Sequence, residues 1–134
     1  MNTKELWAYR EALKILRRAN ERLEEYESVI YSPNGSRSNG MPYENGNNSP
    51  DRLAPIAEKH KELLQERDDA RLRVHEAYKL LEEFEKTLTG DEIDVLHLRY
   101  RKGMTLLEIE PVLHRCERTL RRANNRIKEK FRKF

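Results

Sequence analysis

Arginines near the end of the chain have the types and spacing needed to read a nucleic acid. Four polar side chains lie there within about two turns of a predicted helix; three of them are spaced by four and three residues on one side, and Arg121 lies at its flank. They are Arg118, Arg121, Arg122 and Asn125, and we call them the outer ridge. A guanidinium group donates two parallel hydrogen bonds to the edge of guanine, and an Asn amide pairs in a similar way with adenine. We therefore predict that these four side chains contact DNA bases.

The opposite side of the same segment is apolar. Its side chains are spaced 3-4-4 along the chain: Leu120, Ala123, Ile127 and Phe131. This spacing predicts a helix from about Cys116 to Arg132 that packs its apolar side inward. In a helix-turn-helix protein the N-terminal part of such a helix enters the major groove. The prediction for the outer ridge therefore depends on this inward packing.

Further basic residues flank this helix. They are expected to meet phosphates, which position a protein on DNA without specifying the sequence. These residues are Arg99, Arg101, Lys102, Arg115, Lys128 and Arg132.

Charge is distributed unevenly along the whole chain. Residues 1–90 carry 15 Lys and Arg against 17 Asp and Glu, whereas residues 91–134 carry 12 against 7. A basic field at one end indicates a polyanionic partner. The alternative is a solvated helix whose Lys and Arg complement its C-terminal dipole.

Two short helices are predicted before the basic helix. Residues 92–101 place Ile93, Leu96 and Tyr100 on one apolar side, and Gly103 is the expected glycine after the helix C-terminus. The next helix should open with a capping box, and Pro111 should bend or shorten it. The capping box consists of Thr105 and Glu108, and the expected inner face consists of Ile109, Val112 and Leu113.

The first 88 residues predict a helical hairpin that resembles a coiled coil. One apolar stripe runs from Lys4 to Tyr31. A second, with 3-4-3-4 spacing over five heptads, runs from Leu53 to Leu88 in a helix that should begin near Asp51 as its N-cap. The second stripe is longer than the first, which favours pairing of the excess in a homodimer. His60 and Arg67 on the second stripe are interpreted as register-setting residues.

Residues 32–50 separate these helices. They consist largely of Ser, Pro, Asn and Gly and include three Asn-Gly pairs. Such a segment buries too little apolar surface to offset its ordering entropy, so we predict a disordered or mobile loop. The chain would thus consist of a hairpin, residues 1–88, and a DNA-binding unit, residues 89–134, in an all-α fold.

The segment LTGDEIDVLHLRYRKGMTLLEIEPVLHRCERTLRRANNRIKEK resembles the fourth region of bacterial sigma factors. The matching residues are Leu98, Arg99, Tyr100, Gly103, Thr105, Glu108, Ile109, Leu113, Thr119, Leu120 and Arg122. The resemblance implies a helix-turn-helix that binds DNA, with RNA polymerase as a further partner. The helical half and its Tyr31-Ser32-Pro33-Asn34-Gly35 segment are similar to phage and prophage regulators of the ArpU/RinA type. That similarity implies activation of late phage genes.

The chain departs from the sigma-factor pattern around the turn between the last two helices. Glu110 replaces a small residue, Pro111 is foreign to the pattern, His114 replaces the turn glycine, and Cys116 replaces the serine N-cap. These changes predict an altered angle between the two helices. Such a motif could still bind DNA, or it could have turned to a protein partner.

No pattern typical of an enzyme is present. The sequence contains no phosphate-binding Gly-rich loop, no Gly-x-Ser-x-Gly motif and no paired Cys or His spacing for zinc, so neither metal nor cofactor is expected. The single cysteine, Cys116, fits a reducing cytoplasm. Mean hydropathy is −1.00, and no apolar run approaches the ~20 residues of a membrane span.

These observations favour a non-enzymatic, cytoplasmic, DNA-binding transcriptional regulator, encoded by a phage or prophage, that acts as a homodimer. Two alternatives remain open. One is a protein-interaction module that contacts RNA polymerase. The other is a DNA-packaging component of a phage, similar to a small terminase, which would assemble as a ring of many subunits.

Overall fold

The computed structural model describes residues 1–31 and 50–134. The predicted loop lies outside this range except for Pro50. All elements within it are helices. In chain order they are a 3₁₀ turn Thr3–Trp7, α1 Ala8–Tyr31, α2 Pro50–Glu85, α3 Gly90–Val95, α4 Leu106–Leu113 and α5 Glu117–Lys133. A π-helical segment, Leu96–Arg101, continues α3 directly and is counted with it below. The predicted all-α class is confirmed. Because α2 begins at Pro50, Asp51 is its second residue and not its N-cap.

The contacts divide the chain into two compact units. The C-terminal unit contains Met1–Lys14 and Arg73–Phe134, and the hairpin unit contains Ile15–Leu72. This division differs from the boundary predicted after residue 88. The reason is that Leu6, Leu81 and Phe84 are buried in the same core as α3 to α5. The N-terminal turn and the end of α2 therefore belong to the unit that contains the basic helix.

Aromatic side chains build much of the core of the C-terminal unit. The rings of Phe84 and Phe131 meet edge to face with centroids 4.9 Å apart. The rings of Trp7 and Tyr100 lie 4.6 Å apart. Such pairs add about 0.5–1.5 kcal/mol each to the stabilisation from area burial. They attach α5 to α2, and α3 to the N-terminal turn.

In the hairpin unit the two helical segments run antiparallel. Arg22 pairs with Glu66 at 2.9 Å, and Glu27 pairs with His60 at 2.8 Å. From the first pair to the second, the residue number increases on α1 and decreases on α2. The two pairs therefore define an antiparallel register. The buried apolar side chains of this unit come from both segments and are Ala19, Leu23, Leu63 and Ala70.

One end of the hairpin unit exposes apolar side chains from both segments. Leu53 and Ile56, the first residues of the predicted second stripe, are 50% and 38% exposed. Val29 and Tyr31 of α1 are also exposed. The stripe is thus buried farther along α2 but not at its beginning. No helix in the described ranges is long and apolar enough to cross a membrane.

Candidate nucleic-acid interface

Helices α4 and α5 are joined by a tight turn. His114 adopts the left-handed conformation, with φ 55° and ψ 43°, at the end of α4. Histidine is among the residues that enter this region more often than most. Cys116 follows in an extended conformation as the N-cap of α5. The turn therefore forms without the usual glycine, and α4 and α5 remain two separate helices.

Glu110 supplies the capping interaction that Cys116 does not provide through its side chain. The Oε1 atom of Glu110 accepts a hydrogen bond from the backbone N–H of Glu117, with a donor–acceptor distance of 2.6 Å. A carboxylate at this end of a helix also interacts favourably with the helix dipole. Glu110 thus compensates for the missing side-chain cap at Cys116.

The predicted start of α4 is confirmed. The hydroxyl of Thr105 accepts from the N–H of Glu108 at 3.2 Å, and the Glu108 carboxylate accepts from the N–H of Thr105 at 3.4 Å. The preceding Gly103 has φ +77°, as expected for a glycine after a helix C-terminus. A Cβ at this position would lie 2.8 Å from the Arg10 guanidinium group, which would have to shift.

The predicted inner face of α4 is partly wrong. Ile109 is fully buried and Leu113 packs against the core, but Val112 is 51% exposed. At about 100° per residue, Leu106 and Leu113 lie on one side of Ile109, whereas Val112 lies about 60° to the other side. Leu106 contacts the core instead. The buried face is therefore centred between Ile109 and its neighbours Leu106 and Leu113.

Helix α5 packs as its apolar spacing predicts. The four predicted inward side chains, Leu120, Ala123, Ile127 and Phe131, are all buried. The four members of the outer ridge, Arg118, Arg121, Arg122 and Asn125, are all exposed. Arg121 forms an ion pair with Glu117 one turn earlier. In the part of the chain that the structure describes, neither Arg118 nor Arg122 forms an ion pair.

Four of the six predicted phosphate contacts remain accessible. Lys102 and Arg132 are exposed, and Lys128 is half-buried. Arg115 is exposed and pairs with Asp91 at 3.2 Å. Such an exposed pair contributes little to stability and can open for another anion. The cationic groups of these four residues therefore remain accessible to a partner.

Arg99 and Arg101 are engaged inside the C-terminal unit. The Arg101 side chain is only 12% exposed, donates to Glu85 at 3.0 Å and lies over the Tyr78 ring at 4.8 Å. The Arg99 guanidinium lies 5.3 Å from the centroid of the Trp7 ring. Contacts of this kind stabilise packing and leave few donors for a phosphate. We therefore retain neither arginine as a DNA contact.

Two buried polar contacts were not anticipated. Glu92, whose side chain is 1% exposed, accepts from Lys130 Nζ at 2.6 Å and 3.0 Å. Tyr100 donates its hydroxyl to Asn124 Oδ1 at 2.6 Å, and Asn124 is 4% exposed. The sequence contained a signal that Asn124 is buried, because Asn124 stands four residues after Leu120 on the apolar side of α5. Glu92 likewise stands four residues before the buried Leu96.

The charge state of Glu92 follows from this pairing. Burial raises the pKa of Glu92, but the hydrogen bond and the positive charge of Lys130 outweigh burial, and the pKa lies below its ordinary value. Glu92 is thus ionised at neutral pH. A buried charge that is paired and hydrogen-bonded in this way is tolerated, whereas an unpaired one is costly.

Cys116 is exposed beside the outer ridge. Its Sγ atom lies 3.2 Å from Oγ1 of Thr119. The hydrogen bond with the Thr119 side chain is the largest cause that lowers the pKa of the Cys116 thiol. In the described ranges, no group of three or more His, Cys, Asp or Glu residues could hold a metal ion.

Residues 44–133 match the model of a protein family described as a protein of unknown function, DUF722. The chain belongs to the DUF722 family. The matched range contains α2 to α5 and therefore the outer ridge, while α1 lies outside it. No curated protein and no solved structure matches the chain significantly.

Proposed function

We propose that this DUF722 protein binds double-stranded DNA through α5 and regulates transcription. One observation carries the proposal. Leu120, Ala123 and Ile127 are buried, and three arginines and an asparagine consequently project from the other side of the helix. The projecting groups lie in the first half of α5, which is the half that enters the major groove in helix-turn-helix proteins.

The electrostatics around α5 support a polyanionic partner. Residues 115–134 include nine Lys and Arg against two Glu. One of those acidic residues, Glu117, is already paired with Arg121. Neutralising phosphates with such cations releases counterions from DNA, which favours binding at low salt. The helix therefore combines a general attraction for DNA with side chains able to distinguish bases.

The accessible groups divide into two sets. The outer ridge would contact base edges in the major groove. The second set would contact phosphates and consists of Lys102, Arg115, Lys128 and Arg132. Base contacts specify a sequence and phosphate contacts fix position. The turn before α5, which holds Arg115, would then lie against the DNA backbone.

We also propose that two copies associate through the hairpin unit. Val29, Tyr31, Leu53 and Ile56 form an exposed apolar end of this unit. Burying such side chains against a second copy is favourable, and helix-turn-helix dimers commonly read two half-sites. Sedimentation velocity should show a dimer at micromolar concentration that the Leu53→Glu substitution dissociates. A monomer over the whole concentration range would reject this part of the proposal.

A binding experiment with matched arginine variants tests the main proposal. A preferred duplex is first selected from random DNA, and its affinity is then measured by fluorescence anisotropy at two salt concentrations. The double variant Arg118→Ala/Arg122→Ala should lose affinity by on the order of a hundredfold, because each bidentate contact contributes about 1–3 kcal/mol. The control variant Arg17→Ala/Arg18→Ala removes two exposed guanidinium groups from the hairpin unit.

The control separates a site from a general effect of charge. We expect Arg17→Ala/Arg18→Ala to bind within a few-fold of the unaltered protein. Equal losses in both double variants would show that α5 has no special role. Selection that enriches no duplex, together with no binding at low salt, would reject DNA binding itself and favour a protein partner.

A further inference from the structure

Two buried polar contacts connect α3 with α5 at separate points. Glu92, in the first turn of α3, accepts two hydrogen bonds from Lys130. Tyr100, near the end of the π-helical segment, donates one to Asn124. The two contact points on α5 are six residues apart, which corresponds to about 9 Å along the helix axis. Polar contacts therefore hold α5 both in its middle and near its end.

The apolar seam of α5, formed by Leu120, Ala123, Ile127 and Phe131, restrains the rotation of the helix less strictly than hydrogen bonds do. Hydrophobic burial has no directional preference, whereas a hydrogen bond weakens steeply when its angle is wrong. Ala123 contributes only a methyl group to the buried apolar side of α5. The bond from Tyr100 meets α5 at the next residue, Asn124. It can therefore define which side of the helix faces outward.

We infer that the buried Tyr100–Asn124 hydrogen bond sets the rotation of α5 about its own axis and so aims the outer ridge at base edges. This inference rests on the proposed function. Asn125 directly follows Asn124, and Arg121 lies one turn before it. A small rotation of α5 moves the ends of these side chains by more than a hydrogen bond tolerates. Tyr100 and Asn124 are thus positioning residues that do not touch the DNA.

The side chains around Tyr100 hold its ring, and therefore its hydroxyl donor, in one position. Its ring is fully buried, with the Trp7 ring on one side and the Arg99 guanidinium 5.9 Å from its centroid. Burial raises the pKa of Tyr100 above its ordinary value, although Arg99 acts in the opposite direction. The hydroxyl therefore keeps its proton at neutral pH. Trp7 and Arg99 hold the ring that carries the donor.

A distance measurement in the absence of DNA tests the positioning directly. The chain contains one cysteine, Cys116, which is exposed at the start of α5. A second thiol from Glu82→Cys, on exposed α2 surface of the same unit, allows two nitroxide labels. The distance distribution between the labels should be narrow in this background. Adding Tyr100→Phe/Asn124→Leu removes donor and acceptor together, leaves no unsatisfied partner, and should broaden or split the distribution.

A matched apolar variant controls for a simple loss of packing. Leu120→Val removes one methylene from the same seam and lowers stability without touching the hydrogen bond. It should keep a narrow distribution. On the selected duplex, Tyr100→Phe/Asn124→Leu should lower the ratio of specific to scrambled-DNA affinity by about tenfold, while Leu120→Val leaves that ratio unchanged. Tyr100→Phe alone should change the ratio in the same direction.

The two readouts separate this inference from the proposed function. A narrow distribution in Tyr100→Phe/Asn124→Leu, or equal broadening in Leu120→Val, would overturn the positioning role. If the protein binds no DNA, the proposed function fails, and the distance distributions still decide whether the hydrogen bond orients α5.

Discussion

Arginines on α3 and on α5 differ in the contacts that surround them. Arg101 on α3 is covered by Glu85 and by the Tyr78 ring, and only 12% of its side chain is exposed. Arg122 on α5 is exposed and forms no ion pair with the residues that the structure describes. The residue type is the same, but one group stabilises the unit and the other is free for a partner. A count of basic residues therefore overestimates the binding surface, and burial corrects it.

The largest expected effect concerns stability. Arg101→Ala removes a largely buried ion pair and a cation–π contact, and leaves the Glu85 carboxylate without its partner. We expect a loss of about 2 kcal/mol in the free energy of unfolding, measured by urea denaturation. DNA affinity, measured where the variant is fully folded, should stay within a few-fold. A stable variant with strongly weakened DNA binding would place Arg101 in the interface and break the comparison with Arg122.

The pairing of Glu92 with Lys130 predicts a dependence of stability on pH. Because the pKa of Glu92 is lowered in the folded protein, its contribution is complete above the ordinary value of 4.5. It disappears as the pH falls through the lower folded value. Glu92→Gln should reduce the free energy of unfolding by about 1–2 kcal/mol at pH 7, a moderate loss because Lys130 remains partly solvated. The loss should be smaller at pH 3, because the carboxyl group of the unaltered protein is then increasingly protonated.

A pH series of unfolding curves provides the check. The difference between the unaltered protein and Glu92→Gln should shrink steadily below about pH 4.5. A difference that stays constant from pH 7 to pH 3 would show that the ionised carboxylate does not stabilise the fold.

A smaller effect distinguishes the two sets of DNA contacts. Arg121→Ala should weaken binding to the selected duplex by about tenfold and relax sequence preference at one position. Lys128→Ala should weaken all duplexes alike and reduce the salt slope by about one. Gel shifts with selected and scrambled DNA at several salt concentrations measure both. The same sequence-independent loss in the two variants would contradict this division.

The sequence predicted those features that depend on neighbouring residues. The positive φ at Gly103, the capping box of Thr105 and Glu108, and the buried side of α5 all follow from local spacing. Features that depend on residues distant in the chain were missed. The inclusion of Leu6 in the C-terminal core is one, and the cover that Glu85 gives Arg101 is another, since neither leaves a periodic pattern.

The turn between α4 and α5 also shows that a sequence pattern does not reveal contacts between separate positions. Glu110, His114 and Cys116 each departed from the expected pattern and together predicted an altered turn. The departures are partly compensatory, since the Glu110 carboxylate caps α5 by accepting from Glu117 at 2.6 Å. Compensation between two positions on different helices cannot be derived from either position alone.

The most direct test of the central claim is an NMR titration that observes the Nε–H signals of arginine side chains while the selected duplex is added. We predict that the signals of Arg118, Arg121 and Arg122 shift with a common affinity, and that those of Arg99 and Arg101 stay in place. Shifts confined to Arg99 and Arg101, or no shift of any arginine at saturating DNA, would contradict the account.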